Sequence, residues 1–422
     1  MLAPGDIRSL LIEKPVAGGR MIGRVDGQVV FVGGAIPGER VKARVERIAT
    51  GVAYAHVVSI DEPSVDRREP FVDPPCGGCL YAHISYERQL ALKAEVIADG
   101  FGRIGRITLA NGPEVVASPD HGYRTRARLH LRGGRSGFFR EGSHDLCSAR
   151  ATRQLLPASC DAIDELTTAI RSIGADAVHE LELSENVEAS ERVVHLTTTA
   201  RIEPVPLSRL TGTAGLTGLT AGGASSTALT VSGDPIVTDV VSVGGRSVSL
   251  GHHVLSFFQG NRYLLTGLVE RVVGEIGEGE RVLDLYAGVG LFAVSAARIR
   301  GARVTAVEGD RAAAMDLIRN SAAASDADLL PVHQSVEAFV LLRPPKPQTL
   351  IVDPPRTGMS RQALAGAVSL GAHTILYVSC DVATAARDAR RLTDAGYALR
   401  RLDAFDLFPN TPHVEVVATY ER

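Results

Sequence analysis

Residues 281–308 read RVLDLYAGVGLFAVSAARIRGARVTAVE. The apolar run RVLDLY leads into a glycine turn, an alanine-rich stretch follows, and the second apolar run ends at Glu308. Further runs of this kind are TLIVDPP (349–355) and TILYVSC (374–380), before a closing pair, YALRRLDAF and HVEVVATYER. Apolar strands that alternate with helical stretches are typical of a parallel sheet covered on both faces. The chain from about residue 255 is therefore predicted to form a doubly wound α/β sheet.

The glycine turn predicts a nucleoside-binding site. Gly288 and Gly290 would let a ligand approach the backbone, and the Glu308 carboxylate would accept hydrogen bonds from ribose hydroxyls. A dinucleotide fits the same pattern, but Ala293 stands where the dinucleotide loop carries its third glycine. Asp284 would suit the cationic amino-acid end of S-adenosylmethionine and repel a pyrophosphate. The pattern favours S-adenosylmethionine, and a dehydrogenase is disfavoured.

The first sixty residues predict a small β-barrel. Val41, Ala43 and Val45 alternate with charged residues, and glycine-containing turns separate short strand-like runs. Five short strands of this kind suggest an OB-type barrel, which is a common platform for oligonucleotides. A structural cap without RNA contact fits the same pattern.

The middle of the chain is less regular. A charged, proline-rich linker (62–75) precedes a predicted helix (84–100), and residues 113–250 alternate strand-like pieces with one helix around 160–173. The low-complexity stretch 210–233 is predicted to be a loop or insertion. The predicted domains are 1–62, 63–250 and 251–422.

Three arginines in this middle segment would share one face of a strand. Arg124, Arg126 and Arg128 recur at every second residue, a spacing suited to contact with phosphates. A solvated edge strand explains the pattern equally well. The net charge of −3 does not decide between them, because only the contacting face of a nucleic-acid binder must be basic.

Composition predicts a soluble cytoplasmic protein. The chain has five widely spaced cysteines, which do not suggest a disulfide framework. The N-terminus lacks a signal-peptide core, and the longest uncharged run is too polar to span a membrane. No obligatory protein partner is evident.

Two strand ends carry candidate chemistry. Asp353-Pro354-Pro355-Arg356 and Ser379-Cys380-Asp381 both follow apolar strands, so both should face the ligand crevice. Asp381 is a plausible N-cap and Gly396 a plausible C′ residue of the helix between them. The start of a helix lowers the pKa of a thiol, whereas the Asp381 carboxylate opposes this, so the sequence leaves the net shift for Cys380 open.

With these residues identified, the chain resembles the RNA 5-methyluridine methyltransferases, which methylate uracil in tRNA and 23S rRNA. The resemblance covers almost the whole chain in ordered segments: residues 12–41, CGGCLYAHISYERQLALK (76–93), FFQGN (257–261), DLYAGVGLF (284–292), DPPRTG (353–358), YVSCD (377–381) and FPNTPHVEVV (408–417). It implies a Rossmann-like class I methyltransferase sheet, an N-terminal OB-type barrel (TRAM) and a central α+β RNA-binding domain.

The resemblance also implies a mechanism. A thiolate, Cys380, adds to carbon-6 of uracil and makes carbon-5 nucleophilic towards the methyl group of S-adenosylmethionine; Glu415 then removes the carbon-5 proton. Cofactor-binding positions of the family match Gln259, Tyr286, Glu308 and Asp353, and Arg356 would support the same pocket. His413 could be a packed neighbour and is not included among the catalytic residues. A target in 23S rRNA is favoured over one in tRNA.

The chain departs from the family pattern at an iron–sulfur site. A cluster needs four cysteines, but Pro70 stands at the first of the four positions and Thr152 lies near the last. Cys76 and Cys79 alone cannot hold a cubane cluster. The cluster is therefore predicted to be absent. Asp381 stands where many family members have asparagine, and Leu291 stands where they often have a polar residue. Either change could weaken activity.

Two alternatives remain. Amino-group RNA or DNA methyltransferases also carry Asp-Pro-Pro, but they usually place an aromatic residue where this chain has Arg356. Such a reaction would leave Cys380 and Glu415 without a role. A non-catalytic RNA-binding protein on a relic scaffold would instead tolerate Cys380→Ala and require the arginines.

Overall fold

The computed structural model describes residues 2–109, 112–199, 207–223 and 228–422. Its N-terminal part is a closed barrel in the order β1-β2-β3-β5-β4, with β3 and β5 parallel. The strands are β1 Ile7–Pro15, β2 Met21–Val25, β3 Gln28–Gly33, β4 Arg40–Ala49 and β5 Val52–Glu62. Alternate residues of β4 are buried in the barrel core, as its sequence pattern predicts. The predicted OB-type barrel is confirmed.

The central part is a twisted sheet with one helix packed on it. Helix α1 (Tyr86–Gly100) continues into a π-helical turn, Phe101–Gly105, before the short strand β6 (Val115–Val116). The sheet runs in the order β13-β12-β11-β10-β7-β8-β9. Its elements are β7 Arg126–Arg132, β8 Arg135–Phe139, β9 Leu146–Cys147, α2 Pro157–Ser172, β10 Val178–Glu185, β11 Arg192–Thr198, β12 Gly218–Gly222 and β13 Leu229–Gly233.

The loop predicted for 210–233 is wrong for the described part of that stretch. Strand β12 pairs in parallel with β11 and antiparallel with β13, so this segment extends the sheet. Its threonines and glycines lack the apolar alternation that marks a strand, and the pairing depends on contacts with β11 instead. Residues 224–227 of the predicted loop lie outside the described residues.

The C-terminal part is the predicted doubly wound sheet, which is confirmed, in the order β18-β17-β16-β19-β20-β22-β21-β6. It follows a hairpin of β14 (Ile236–Val243) and β15 (Arg246–His253). The other elements are α3 Leu265–Val273, β16 Arg281–Leu285, α4 Leu291–Arg300, β17 Arg303–Glu308, α5 Arg311–Ala323, β18 Leu329–His333, α6 Val336–Leu341, β19 Thr349–Val352, α7 Arg361–Ser369, β20 Thr374–Ser379, α8 Val382–Asp394, β21 Ala398–Phe405 and β22 Glu415–Glu421.

Two connections cross the predicted domain boundaries. Strand β15 runs through residue 250, and β6 from the middle segment pairs in parallel with β21 at the edge of the C-terminal sheet. The division into 1–62, 63–250 and 251–422 stays a prediction. Within the described ranges, no helix is both long and apolar enough to cross a membrane.

Candidate active site

A cavity of about 710 Å³ opens where β16, β17, β19 and β20 end. In doubly wound sheets this edge is where ligands bind. The sequence-predicted residues that line the cavity are Gln259, Tyr286, Gly288, Glu308, Asp353, Arg356, Cys380 and Glu415. The structure therefore gathers residues that are up to 156 positions apart in the sequence (415 − 259) around one space.

The turn after β16 is built by residues with left-handed backbone conformations. Gly288 has φ 57° and Gly290 φ 97°, and a Cβ at Gly290 would lie 2.8 Å from the Leu317 side chain. Gly290 thus serves the close packing of the turn and does not line the cavity. Tyr286 also has a positive φ, 64°, which is costly for a bulky side chain and is a feature of functional sites.

Glu308 is held rigidly at the end of β17. Its Oε2 accepts a hydrogen bond from the Gly288 amide at 2.7 Å, and its Oε1 accepts one from the Asp310 amide at 2.6 Å. Each carboxylate oxygen keeps a further lone pair for a ligand hydroxyl. Asp310, which the sequence analysis did not identify, caps α5 through the Ala313 amide.

Asp284 does not fill the role expected for it. The residue is fully buried on β16 and does not line the cavity. Burial, followed by the neighbouring carboxylates of Asp353 and Glu308, raises the pKa of Asp284 well above its usual value. This shift disfavours the charged form of Asp284, and its carboxyl group lies behind the cavity wall and not in it.

Cys380 and Glu415 face each other across paired strands. Strand β22 is antiparallel to β20, with Ser379 opposite Val416. Because the strands are antiparallel, the residue after Ser379 lies opposite the residue before Val416, which sets Cys380 opposite Glu415. Both side chains line the cavity, and Glu415 is almost fully buried.

The environment of Cys380 decides the question that the sequence left open. Burial, and then the Glu415 carboxylate, raise the pKa of the Cys380 thiol to about 11, and the Arg356 guanidinium opposes them. Asp381 does cap α8 as predicted, with its side chain accepting from the Thr384 amide at 2.8 Å, and Gly396 follows the helix with φ 92°.

The acids around Cys380 also have raised pKa values. Burial, and then the Asp353 carboxylate, raise the pKa of Glu415 well above its usual value. Burial, and then Glu308, raise the pKa of Asp353 to about 7. Carboxyl groups tuned towards neutrality are suited to proton transfer near physiological pH. By contrast, burial and then Arg356 lower the pKa of His413 to about 4, so this ring is neutral.

Gln259 is positioned by buried neighbours on the β14–β15 hairpin. The preceding Phe258 stacks on His252, with ring centroids 4.3 Å apart, and His252 contacts Asp239 Oδ2 at 3.0 Å. Sequence reasoning missed several lining residues: Phe257, Phe258, Ser335, Val336, Glu337 and Phe408. Ser335 to Glu337 follow β18, a strand that was not predicted. Recognising the end of this strand would have indicated that these residues line the cavity.

Arg126 and Arg128 lie on one face of β7, whereas Arg124 precedes the strand and forms an isolated bridge with Asn261, so only two of the three arginines share a strand face. Arg124 donates to Gln154 Oε1 at 2.6 Å, and Arg126 donates to the Val254 carbonyl oxygen at 2.8 Å. The Arg128 side chain is 61% exposed and pairs with Glu180 and Glu182. The guanidinium groups of Arg124 and Arg126 are therefore already bound to other protein groups, and none of the three arginines lines the cavity.

The cysteine-rich segment, residues 76–79, contains half of a disulfide, which the cysteine spacing did not suggest. Cys76 and Cys147 form a disulfide. A short antiparallel backbone pairing of Cys76 with Arg140 brings the segment beside the β8–β9 hairpin, where Cys147 lies. Cys79 lies next to Thr152, with Sγ 3.9 Å from its carbonyl oxygen. In the described part of the chain, no group of three or more His, Cys, Asp or Glu residues is arranged to hold a metal ion. The absence of a cluster stays a prediction.

Comparisons with known proteins cover both ends of the chain. Residues 3–58 match the TRAM domain family, and residues 339–422 match the family described as tRNA (Uracil-5-)-methyltransferase. The 23S rRNA (uracil(1939)-C(5))-methyltransferase of Halomonas elongata is 34% identical over 98% of this chain and 89% of its own. The enzyme of the same name from Alkalilimnicola ehrlichii is 32% identical over 96% and 94%.

A crystal structure also resembles the whole chain. The Pyrococcus abyssi tRNA (uracil-54, C5)-methyltransferase, solved with S-adenosyl-L-homocysteine, superposes with a TM-score of 0.76 and 26% sequence identity. The match covers 97% of this chain and 99% of the other. The likeness therefore includes the barrel, the central sheet and the sheet that carries the cavity.

Proposed function

The chain belongs to the family of RNA uracil-C5 methyltransferases, and on that premise we propose that it methylates a uridine of 23S rRNA with Cys380 as nucleophile and Glu415 as base. It is an S-adenosylmethionine-dependent enzyme that acts on carbon-5 of uracil in RNA. The observation that carries the assignment of residues is the β20–β22 register, which sets Cys380 opposite Glu415 at one cavity. An RNA substrate of this kind implies action in the cytoplasm.

The cavity suits S-adenosylmethionine. Glu308, fixed by two backbone amides, would accept hydrogen bonds from the ribose hydroxyls, and apolar residues such as Phe258 and Val336 would cover the adenosine. Gln259, Tyr286, Gly288 and Asp353 line the same space. When bound, the cofactor supplies an electrophilic methyl group.

The chain's own residues perform the remaining chemistry. The Cys380 thiol gives its proton to solvent water, and its sulfur bonds to carbon-6 of uracil. The electron pair of the carbon-5–carbon-6 double bond moves onto carbon-5 and the carbon-4 carbonyl oxygen. Arg356 stabilises the thiolate, since its guanidinium lowers the pKa of Cys380. After carbon-5 has gained the methyl group, Glu415 takes the carbon-5 proton. The electron pair left behind restores the carbon–carbon double bond and expels the Cys380 thiolate.

The target uridine must leave its stack to reach this cavity. Phe257, a residue that is 68% exposed, and Phe408 lie at the cavity and offer aromatic surface to an extruded base. The barrel and the exposed Arg128 would contact the surrounding RNA. Arg124 and Arg126, held by protein groups, would support the shape of this strand and contact phosphates less directly.

A tRNA target is the second candidate, and one observation favours it. The superposed tRNA (uracil-54, C5)-methyltransferase covers nearly the whole chain. The 23S rRNA assignment is preferred, because the curated relatives of that name are more similar in sequence over a comparable length.

Methyl transfer to defined transcripts tests the proposal. Purified protein is incubated with methyl-labelled S-adenosylmethionine and unmodified 23S rRNA or tRNA transcripts, and the nucleosides are identified by mass spectrometry. We expect 5-methyluridine in 23S rRNA at one or few positions. Product in tRNA alone would refute the substrate and leave the chemistry intact. A methylated amino group, or no transfer to either RNA, would refute the chemistry.

A further inference from the structure

A second pocket adjoins the cavity on the far side of the Asp353–Arg356 loop. Its volume is about 560 Å³, and Tyr286, Glu337 and Pro355 line both spaces. The rest of its wall comes from residues 357–360, from Arg361 at the start of α7, and from Arg387 and Arg391 on α8. The pocket therefore shares a wall with the cavity, and Pro355, next to Arg356 in the chain, lies on the part of that wall nearest in sequence to the groups around Cys380.

The pocket is rich in positive charge. Of the charged residues that line it, three are arginines and one is an acid, Glu337. Glu337 accepts a hydrogen bond from Ser360 Oγ at 2.8 Å, on the side shared with the cavity. Guanidinium groups only donate hydrogen bonds, and their planar geometry matches phosphate oxygens. The lining thus fits an anion with several acceptor oxygens.

One of the arginines is used to hold the pocket in shape. Arg387 donates to the carbonyl oxygens of Thr357 at 3.2 Å and Met359 at 3.3 Å, and pairs with the buried Asp388 at 2.9 Å. Asp388 in turn accepts from the Met359 amide at 3.0 Å and from the Tyr377 hydroxyl at 2.8 Å. The loop is therefore fixed before any ligand arrives.

The other two arginines remain accessible. Arg391 is 3.6 Å from Asp388 with 36% of its side chain exposed, and Arg361 is exposed at the first turn of α7. The positive end of the α7 dipole lies at the same place as Arg361. Both side chains can reach a ligand without breaking the contacts that fix the loop.

We infer that this pocket binds a backbone phosphate of the nucleotide next to the target uridine, through Arg361 and Arg391. The inference rests on the proposed function, because it takes RNA as the ligand. A phosphate held beside the cavity would set the register of the strand, so that one chosen uridine enters opposite Cys380. The RNA then loses binding energy and positioning together when the two arginines are removed.

The test compares the double variant Arg361→Gln/Arg391→Gln with wild type. Dissociation constants for the 23S rRNA and tRNA transcripts are measured at several KCl concentrations, and the affinity for S-adenosylmethionine is measured separately by calorimetry. We expect RNA binding to weaken about tenfold, as for the loss of a charge-assisted hydrogen bond. The slope of log affinity against log salt should shrink by about 0.7–0.9, the value for one phosphate. Cofactor affinity should not change.

Arg390→Gln is the matched control. It lies on α8 beside Arg391, pairs with Asp394 at 3.6 Å and does not line the pocket, so we expect wild-type RNA binding. Unchanged affinity and slope in the double variant would overturn the inference, as would an equal loss of cofactor binding. Inorganic phosphate is tested as a separate ligand at millimolar concentration. If it binds wild type but not the double variant, while both bind RNA equally well, the pocket is a site for free anions and the inference is wrong.

The two proposals can fail separately. The binding measurement needs no turnover, so a loss of RNA affinity and slope in the double variant supports the pocket even if 23S rRNA is not methylated. Methylation of 23S rRNA with full activity and unchanged RNA affinity in the double variant supports the function and refutes the pocket. If wild type binds neither transcript, both proposals fall.

Discussion

The reactivity of one thiol depends on three neighbouring groups. Burial and the Glu415 carboxylate disfavour the thiolate of Cys380, whereas Arg356 favours it, and the resulting pKa is about 11. The resting enzyme therefore holds Cys380 as a thiol at neutral pH. This protects the nucleophile from oxidation and alkylation until substrate arrives, because the thiolate is the reactive form.

Alkylation of Cys380 by iodoacetamide should report this pKa directly. In a Cys160→Ser background, we expect the rate to rise with pH throughout the range 7–10, since only about one thiol in 10⁴ is ionised at pH 7. Arg356→Gln should shift the profile to still higher pH, and Arg356→Lys should restore it in part. A midpoint at or below the ordinary value for a free cysteine would contradict the assigned environment.

Glu415→Gln should separate methyl transfer from release. Without a base to take the carbon-5 proton, the RNA remains bound to Cys380, and we expect a denaturation-resistant adduct with ordinary uridine RNA. Turnover should fall by about 10²–10⁴-fold. Glu421→Gln is the control, because Glu421 lies at the exposed end of the same strand and pairs with Arg400. Full turnover in Glu415→Gln would exclude the proposed base.

At the scale of elements, helix α1 meets the loop after β21 through two buried polar contacts. Lys93 of α1 pairs with Asp406 after β21 at 2.5 Å, and both are fully buried. Gln89 of α1 donates to Asn410 Oδ1 at 3.0 Å and accepts from the Asn410 amide at 2.9 Å. Helix α1 thus fixes the loop that leads into Glu415, which explains why both segments carry polar residues at buried positions.

Lys93→Met should be strongly destabilising. The change leaves the Asp406 carboxylate buried without its partner, which costs about 3–5 kcal/mol of unfolding free energy. The double variant Lys93→Met/Asp406→Leu should recover most of this loss, because it removes both charges. Urea denaturation measures the differences, and Glu87→Gln, at an exposed position of the same helix, serves as a surface control. A loss below about 1 kcal/mol in Lys93→Met would refute the importance of the pair.

The elements that the sequence predicts well are those whose burial is uniform. The predicted runs RVLDLY and RVTAVE match β16 and β17 to within a residue, since strands buried on both faces are mostly apolar. Strands β12 and β13 were missed because their pairing with β11 is long-range and their threonines and glycines carry no period. The sequence alone likewise does not predict that Cys380 lies opposite Glu415, because this depends on the register of β20 and β22.

At the scale of the whole molecule, the cysteine-rich segment joins the central sheet to the catalytic loop. The Cys76–Cys147 disulfide lies on the side of the central sheet, and the Tyr81 amide, five residues after Cys76, donates to the Asn410 carbonyl oxygen at 2.9 Å. The segment occupies the place that the family resemblance gives to an iron–sulfur cluster. The disulfide and the hydrogen bond from Tyr81 to Asn410 would then connect the central sheet to the catalytic loop in place of a cluster.

Thiol and iron analysis tests this view. Denatured, unreduced protein should show three titratable thiols, from Cys79, Cys160 and Cys380. Cys147→Ser should lower the unfolding free energy by about 2–4 kcal/mol, because it opens a long covalent loop. Finding about four irons and matching sulfide in anaerobically purified protein would contradict the predicted absence of a cluster.

The most direct test of the account uses RNA substituted with 5-fluorouracil. Fluorine at carbon-5 cannot leave as a proton, so an adduct formed by Cys380 stays trapped after methyl transfer. Wild-type protein and Cys160→Ala should give a shifted band on a denaturing gel with S-adenosylmethionine present, and Cys380→Ala should give none. If Cys380→Ala still forms the band, or wild type with bound cofactor never does, then Cys380 is not the nucleophile and the proposed mechanism is wrong.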